Sequence, residues 1–159
     1  MQNESVILKD MPIPPSLNQA YYTDFRHKTR HKSKDYRLFE SMIKHWAAMF
    51  PAALGSARQF TTLLGSGQAF QVDITFYFPR TRVLTLPVRP CKKHPSGRPT
   101  IPKRNDTSNR IKIAHDCLAE LLGIDDSYFW DGKFSKKVLN SDHPGFMDIS
   151  MMIIDIDGY

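Results

Sequence analysis

The stretch Ala69 to Phe78 most constrains what this chain can fold into. Val72, Ile74, Phe76 and Phe78 fall on one side of an extended backbone, Asp73, Thr75 and Tyr77 fall on the other, and Pro79 ends the run. Alternation with a period of two requires a half-buried strand, and such a strand requires a sheet with something packed over its apolar face. Phe146 to Ile156 is largely apolar and β-branched with few turn residues, which predicts a central strand covered on both faces.

The elements that cover the sheet are read from a different period. Tyr36, Phe39, Ile43, Trp46 and Phe50 recur at spacings of three and four, so Lys34 to Phe50 is predicted as an amphipathic helix with Ser33 as N-cap and Pro51 as its stop. A second helix is predicted to start near Ser108, to bury Ile111, Ala114, Leu118, Leu121 and Leu122, and to end at Gly123. Val6 to Leu8 reads as an edge strand, and Val83 to Val88 as a strand pairing with the long one. Tyr128 to Trp130 and Phe134 to Leu139 read as short strands around an Asp131-Gly132 turn. Pro12, Pro14 and Pro15 break regular structure near the N-terminus, residues 51 to 68 read as a connection, and Pro90 to Pro102 as a long loop. The order β, α, β, β, α, β, β, β predicts one α/β (α+β) domain over residues 1–159, a mixed β-sheet with two main helices packed on it.

Charge narrows the partners. With 159 residues, 41% hydrophobic and 24% charged, the composition is that of an ordinary globular chain, and the net charge of +6 leans towards nucleic acid. No acid occurs between Asp73 and Asp106, whereas Arg80, Arg82, Arg89, Lys92, Lys93, Arg98, Lys103 and Arg104 do. Residues 26 to 34, Arg-His-Lys-Thr-Arg-His-Lys-Ser-Lys, read as a solvated loop or as a mobile arm that contacts DNA phosphates. Cys91 and Cys117 are too few for a zinc site and are expected as reduced thiols. No leader and no apolar run near the roughly 20 residues of a membrane span are visible, so an intracellular protein without a membrane partner is expected.

The chemistry concentrates in Lys103-Arg104-Asn105-Asp106-Thr107-Ser108-Asn109-Arg110-Ile111-Lys112 and in Gly123-Ile124-Asp125-Asp126. Carboxylates flank the predicted helix, and Asn109, Lys112 and Asp116 share its exposed face. Two or three carboxylates that leave coordination positions open suit a divalent cation held against a phosphate, with Lys112 as the cation facing transition-state charge. The helix is about 20 Å long, so its ends meet only if the chain after Gly123 folds back along it. A surface ion pair between Lys112 and Asp116 and a solvent-facing turn at Asp125-Asp126 are the competing readings.

Several segments resemble the RusA family of Holliday junction resolvases, in the same order. They are Pro14-Pro15-Ser16-Leu17-Asn18, Val72-Asp73-Ile74-Thr75-Phe76, Asp106-Thr107-Ser108-Asn109-Arg110-Ile111-Lys112, Asp116-Cys117-Leu118 and Asp125-Asp126-Ser127, with Lys136 or Lys137 at a basic position. The resemblance spans about residues 6 to 156 and implies a RusA-like fold. It also implies a phage or prophage endonuclease that nicks four-way DNA junctions symmetrically, as a homodimer in the bacterial cytoplasm, during recombination and repair. It implies Asp106, Lys112 and Asp126 as catalytic residues, and Asp106 and Asp126 as ligands of Mg²⁺, for which Mn²⁺ substitutes; Asp125 is a further candidate ligand. Arg26, Lys28, Arg30, Lys32, Lys103 and Arg104 are the candidate DNA contacts, with Ser108, Asn109 and Asp116 in support. Ser108 stands where the family's second aspartate is expected, which raises the alternative of a catalytically weakened protein that grips branched DNA without cutting it.

Overall fold

A computed structural model describes residues 5–100 and 107–156. Strand β1, Ser5–Met11, is followed by a proline-rich coil and the short helix α1, Leu17–Ala20. Strands β2, Tyr21–Asp24, and β3, Thr29–Lys32, form a separate two-stranded sheet. Helices α2, Lys34–Met49, and α3, Pro51–Thr61, lead to the long strand β4, Gln68–Pro79, and the one-turn helix α4, Arg80–Val83. Beyond a loop come α5, Ser108–Leu122, a 3₁₀ turn at Asp126–Tyr128, and strands β5, Phe129–Asp131, β6, Phe134–Leu139, and β7, Phe146–Asp155.

Among the described residues the main sheet is mixed and five-stranded. On one edge β4 pairs antiparallel with β7, from Gln68 opposite Asp155 to Tyr77 opposite Phe146. On the other edge it pairs in parallel with β5 and then with β6, from Ile74 opposite Phe134 to Pro79 opposite Leu139. Strand β1 lies antiparallel to β7, and its register shifts between Leu8 and Met11, where Asp10 adopts a positive φ of 57°. Phe70, Val72, Ile74, Phe76 and Phe78 of β4 and Met147, Ile149 and Met151 of β7 form one buried face. Helices α2, α3 and α5 cover that face and share a single hydrophobic core with it.

The mixed α/β sheet of a single-domain fold is present as predicted. The Ser33 hydroxyl accepts a hydrogen bond from the Tyr36 N–H at 3.2 Å, and Tyr36, Phe39, Ile43 and Trp46 are buried along α2. Gly123 closes α5 in the left-handed region, with φ at 69°. Between them the buried Arg110 donates to the Pro14 carbonyl and lies 5.8 Å over the Phe78 ring, tying α5 to the proline turn and the sheet.

Four expectations are corrected. Residues 51 to 61 are helical because Pro51 occupies the first helical positions, where it lacks nothing, and Leu54, Ala57 and Phe60 face the core. Val83 to Val88 makes no strand: Val83 ends a helical turn, and Leu84 and Val88 take part in isolated bridges, that of Val88 with Arg98. Asp131-Gly132 is not a hairpin turn, since β5 and β6 both run parallel to β4. Strand β7 is central but covered on one face, its Phe146, Asp148, Ser150 and Met152 being only half-buried.

Gly132 is where the backbone passes closest to β4. A Cβ there would lie 2.0 Å from the Val72 carbonyl oxygen. Two bonds fix the chain beside it: the Ile74 N–H donates to the Lys133 carbonyl at 2.8 Å, and the Lys133 N–H donates to Asp73 Oδ1 at 2.8 Å. Gly132→Ala must part these strands and is expected to lower unfolding stability by about 2 kcal/mol or more in urea titrations. Wild-type stability in this variant would contradict the close approach.

Candidate nucleic-acid interface

The basic run at 26 to 34 is largely a β-hairpin. Strands β2 and β3 pair from Tyr21 opposite Lys32 to Asp24 opposite Thr29, and the Ser33 N–H donates to the Ala20 carbonyl at 2.8 Å to close its base. At the tip, Asp24 Oδ1 accepts from the Arg26 and His27 N–H groups at 2.9 and 3.3 Å, and Oδ2 lies 2.8 Å from His27 Nδ1. The pairing with His27 holds the Asp24 carboxyl below the usual carboxylate range. Lys28 takes a positive φ of 52° in the turn.

The two faces of this ribbon differ. Tyr21 packs on Tyr36 of α2 with ring centroids 5.4 Å apart, Arg30 lies 4.4 Å over the Tyr21 ring, and Lys32 pairs with Glu40 of α2. That face is anchored. The opposite face carries Tyr22 stacked on His31 at 5.4 Å, and Phe25 at the tip is 88% exposed. The sequence reading missed this architecture because the groups that hold the ribbon, Tyr21 and Tyr36, lie outside the basic run. Tyr21-Tyr22-Thr23 followed by Asp24 was the available signal, a β-prone segment running into a turn residue.

A second basic segment is also locally ordered. The N–H and carbonyl of Val88 exchange hydrogen bonds with those of Arg98, both at 2.8 Å, and Cys91 and His94 exchange a similar pair within that loop. Gly97 makes the closure possible: its φ is 70°, and a Cβ would lie 2.7 Å from the Val88 oxygen. Arg89, Lys92, Lys93 and Arg98 are exposed around it.

The third cluster lies on and beyond α5. Lys112 is exposed, His115 and Asp116 follow one turn later, and the chain after Gly123 folds back along the helix. Ile124 and Phe129 pack against the core, and the Phe129 ring lies 5.3 Å from that of His115. The charge of Asp126 therefore acts on His115, two turns beyond Ser108. Asp125 caps the 3₁₀ turn, its Oδ1 accepting from the Ser127 N–H at 2.8 Å, and hydrogen bonds from the Ser127 hydroxyl and then its N–H hold the carboxyl below the usual range. Asn109 and Ser108 open α5 and have partners there. Asp106, Lys103 and Arg104 lie outside the described residues.

Among the described residues, no three or more His, Cys, Asp or Glu side chains converge as a ligand set for a metal ion. Asp125 and Asp126 are hard oxygen donors of the kind that hold a cation jointly with phosphate oxygens. Burial pushes the Cys117 thiol up to about 12, so it is unreactive, and neither cysteine is bridged. No helix among the described residues is long and apolar enough to cross a membrane. His115, Trp130 and Phe134 were not among the predicted site residues. The spacing of His115 from Lys112 on one helix face was the signal for it, while nothing local marked Trp130 or Phe134.

No protein-family model matches this chain, and no curated protein matches it. Among solved structures, the chain is similar to IspF from Plasmodium falciparum in a CDP complex, with 14% identity and a TM-score of 0.32 over 69% of this chain and 58% of that one. It is similar to 2C-methyl-D-erythritol 2,4-cyclodiphosphate synthase from Plasmodium vivax at 13% identity and a TM-score of 0.32, over 95% and 94% of the two chains. A further such synthase, in a CDP-bound form, matches at 10% identity and a TM-score of 0.28 over 64% and 51%. In the first of these alignments and the last, the chain thus spans little more than half of the other protein's length. Likeness at these scores assigns no activity. The resolvase resemblance is nonetheless corrected: no family model and no curated protein supports it, and the similar structures named here are cyclodiphosphate synthases. Membership of the RusA family, junction cutting, the non-cutting relative and the role in recombination are set aside. The motifs behind them are a proline turn, an acid before a helix and acids after it, which are local solutions that unrelated folds share.

Burial holds the His115 imidazole below the ordinary histidine range, while the charges of Asp116 and Asp126 pull the other way. The unfolded chain then binds the extra proton. The stability due to neutral His115 is full above the unfolded pKa, about 6.5, and declines as pH falls below it. Asp126→Asn removes one opposing charge and is expected to lower the His115 pKa further, as read from its ring protons by NMR titration. A raised or unchanged value would place Asp126 away from this ring.

Proposed function

We propose that this chain binds duplex DNA, with the β2–β3 ribbon seated against the phosphate backbone and reaching into the major groove. The ribbon itself carries the reading: Arg26 and Lys28 stand in its tip turn beside the exposed Phe25, Arg30 packs over Tyr21 yet stays exposed on the strand behind them, and Asp24 is already engaged with His27. The major groove of B-form DNA, about 12 Å wide, admits such a ribbon. The deep, narrow major groove of A-form RNA does not, which favours DNA. Lys32 is held by Glu40, so its part is to support the base of the ribbon. Arg89, Lys92, Lys93 and Arg98 supply further phosphate contacts from the pinned loop. For the carboxylates after α5 we assign Mg²⁺, bound by Asp125 or Asp126 and completed by water and phosphate oxygens.

The test is the salt dependence of binding. Each phosphate contact contributes roughly 0.9 to the slope of log affinity against log salt on duplex DNA. Replacing Arg26, Lys28 and Arg30 together by Ala is expected to weaken binding of a labelled duplex and to flatten that slope by up to about 2.7. Fluorescence anisotropy from low to moderate salt measures both. A slope equal to that of the wild type would remove the ribbon from the interface.

A further inference from the structure

The sheet ends in a cleft that the ribbon does not use. It has a volume of about 290 Å³ and opens between α5 and the strands β5 and β6. Ile111 and His115 line the helix side, and Phe129, Trp130, Lys133 and Phe134 line the strand side. Two of these aromatic side chains stand largely in the open: Trp130 is 62% exposed and Phe134 53%. A side chain that served only to fill the core would not be left so exposed, and the other tryptophan, Trp46 on the buried side of α2, is 4% exposed.

We infer that this cleft receives a single unpaired nucleobase, held by the Trp130 and Phe134 rings with its polar edge towards His115. The inference rests on the DNA-binding reading of the ribbon and extends it to the form of DNA preferred. Volume sets the size of the guest, since 290 Å³ is at the lower end of small-molecule sites, which begin near about 300 Å³. Flat aromatic walls accept any base face, and stacking on them is tolerant of sequence. The polar rim is mixed. His115 brings two ring nitrogens to the cleft, and the Asp131 carboxylate at the mouth can accept from exocyclic amines. Lys133 at the rim and the exposed Lys112, three residues before His115 on α5, are placed for the flanking phosphates. Base, ring and phosphate requirements are thus met on one cleft edge.

Two measurements separate this inference from the one it rests on. The first is tryptophan fluorescence during titration with adenosine monophosphate, which needs no ribbon. Quenching is expected in the wild type and is expected to vanish in Trp130→Phe, where the remaining Trp46 is buried; an unquenched wild type would overturn the inference. The second compares a paired duplex with the same duplex carrying one bulged adenosine. Wild type is expected to bind the bulged form roughly ten-fold more tightly, the scale of one stacked base. Trp130→Ala and Phe134→Ala are expected to lose that preference while keeping wild-type affinity for the paired duplex and a wild-type melting temperature. A preference that survives in both, or that is absent in the wild type, would overturn it. Loss of binding to both duplexes on replacing Arg26, Lys28 and Arg30 bears on the ribbon alone.

Discussion

Everything in this molecule is hung on the two edges of β4. One edge takes β7 along its whole length, and the other takes β5 and β6 in parallel, so the strand is hydrogen-bonded on both sides and cannot slip without breaking both ladders. Its apolar side, Phe70 to Phe78, is the floor on which α2, α3 and α5 pack. The parallel pairing has a geometric price, because the chain must cross from α5 to the far edge of the sheet and run beside β4 without a side chain at Gly132. That crossing is what brings Asp125, Asp126 and Trp130 next to α5.

Charge is distributed around this frame unevenly. The ribbon is stapled to α2 by the Tyr21–Tyr36 contact and by Lys32 with Glu40, which leaves Arg26 and Lys28 at the tip. Asp126, beyond the end of α5, sits instead near the half-buried His115, which lines an aromatic cleft. A fixed ribbon of cations and a separate aromatic pocket suit different parts of one ligand, the backbone and a base. Rigidity in both limits the ordering cost on binding.

The long elements were legible in the sequence because their signals are local. Val72 to Phe78 declares a strand by alternation, Tyr36 to Trp46 a helix by its stripe, and Ser33 and Gly123 their caps. What could not be read depended on distant partners. Strand β7 looks fully buried from its apolar content, yet only Met147, Ile149 and Met151 meet helices. The β2–β3 ribbon is stabilised from α2, and α3 begins at the very proline that ends α2. At the candidate site, the fold-back after Gly123 could be posed from helix length, but its direction was set by Ile124 and Phe129 finding the core. The family resemblance failed for the same reason: short motifs describe local chemistry and leave open what surrounds them.

Amide chemical-shift mapping tests the account most directly. With isotope-labelled protein and a duplex carrying one unpaired adenosine, the account predicts that the largest shifts fall on residues 21 to 32 and on the Trp130 indole, with α3 unaffected. Shifts centred on the exposed side of α2 or on α3, with the ribbon and Trp130 unmoved, would contradict it.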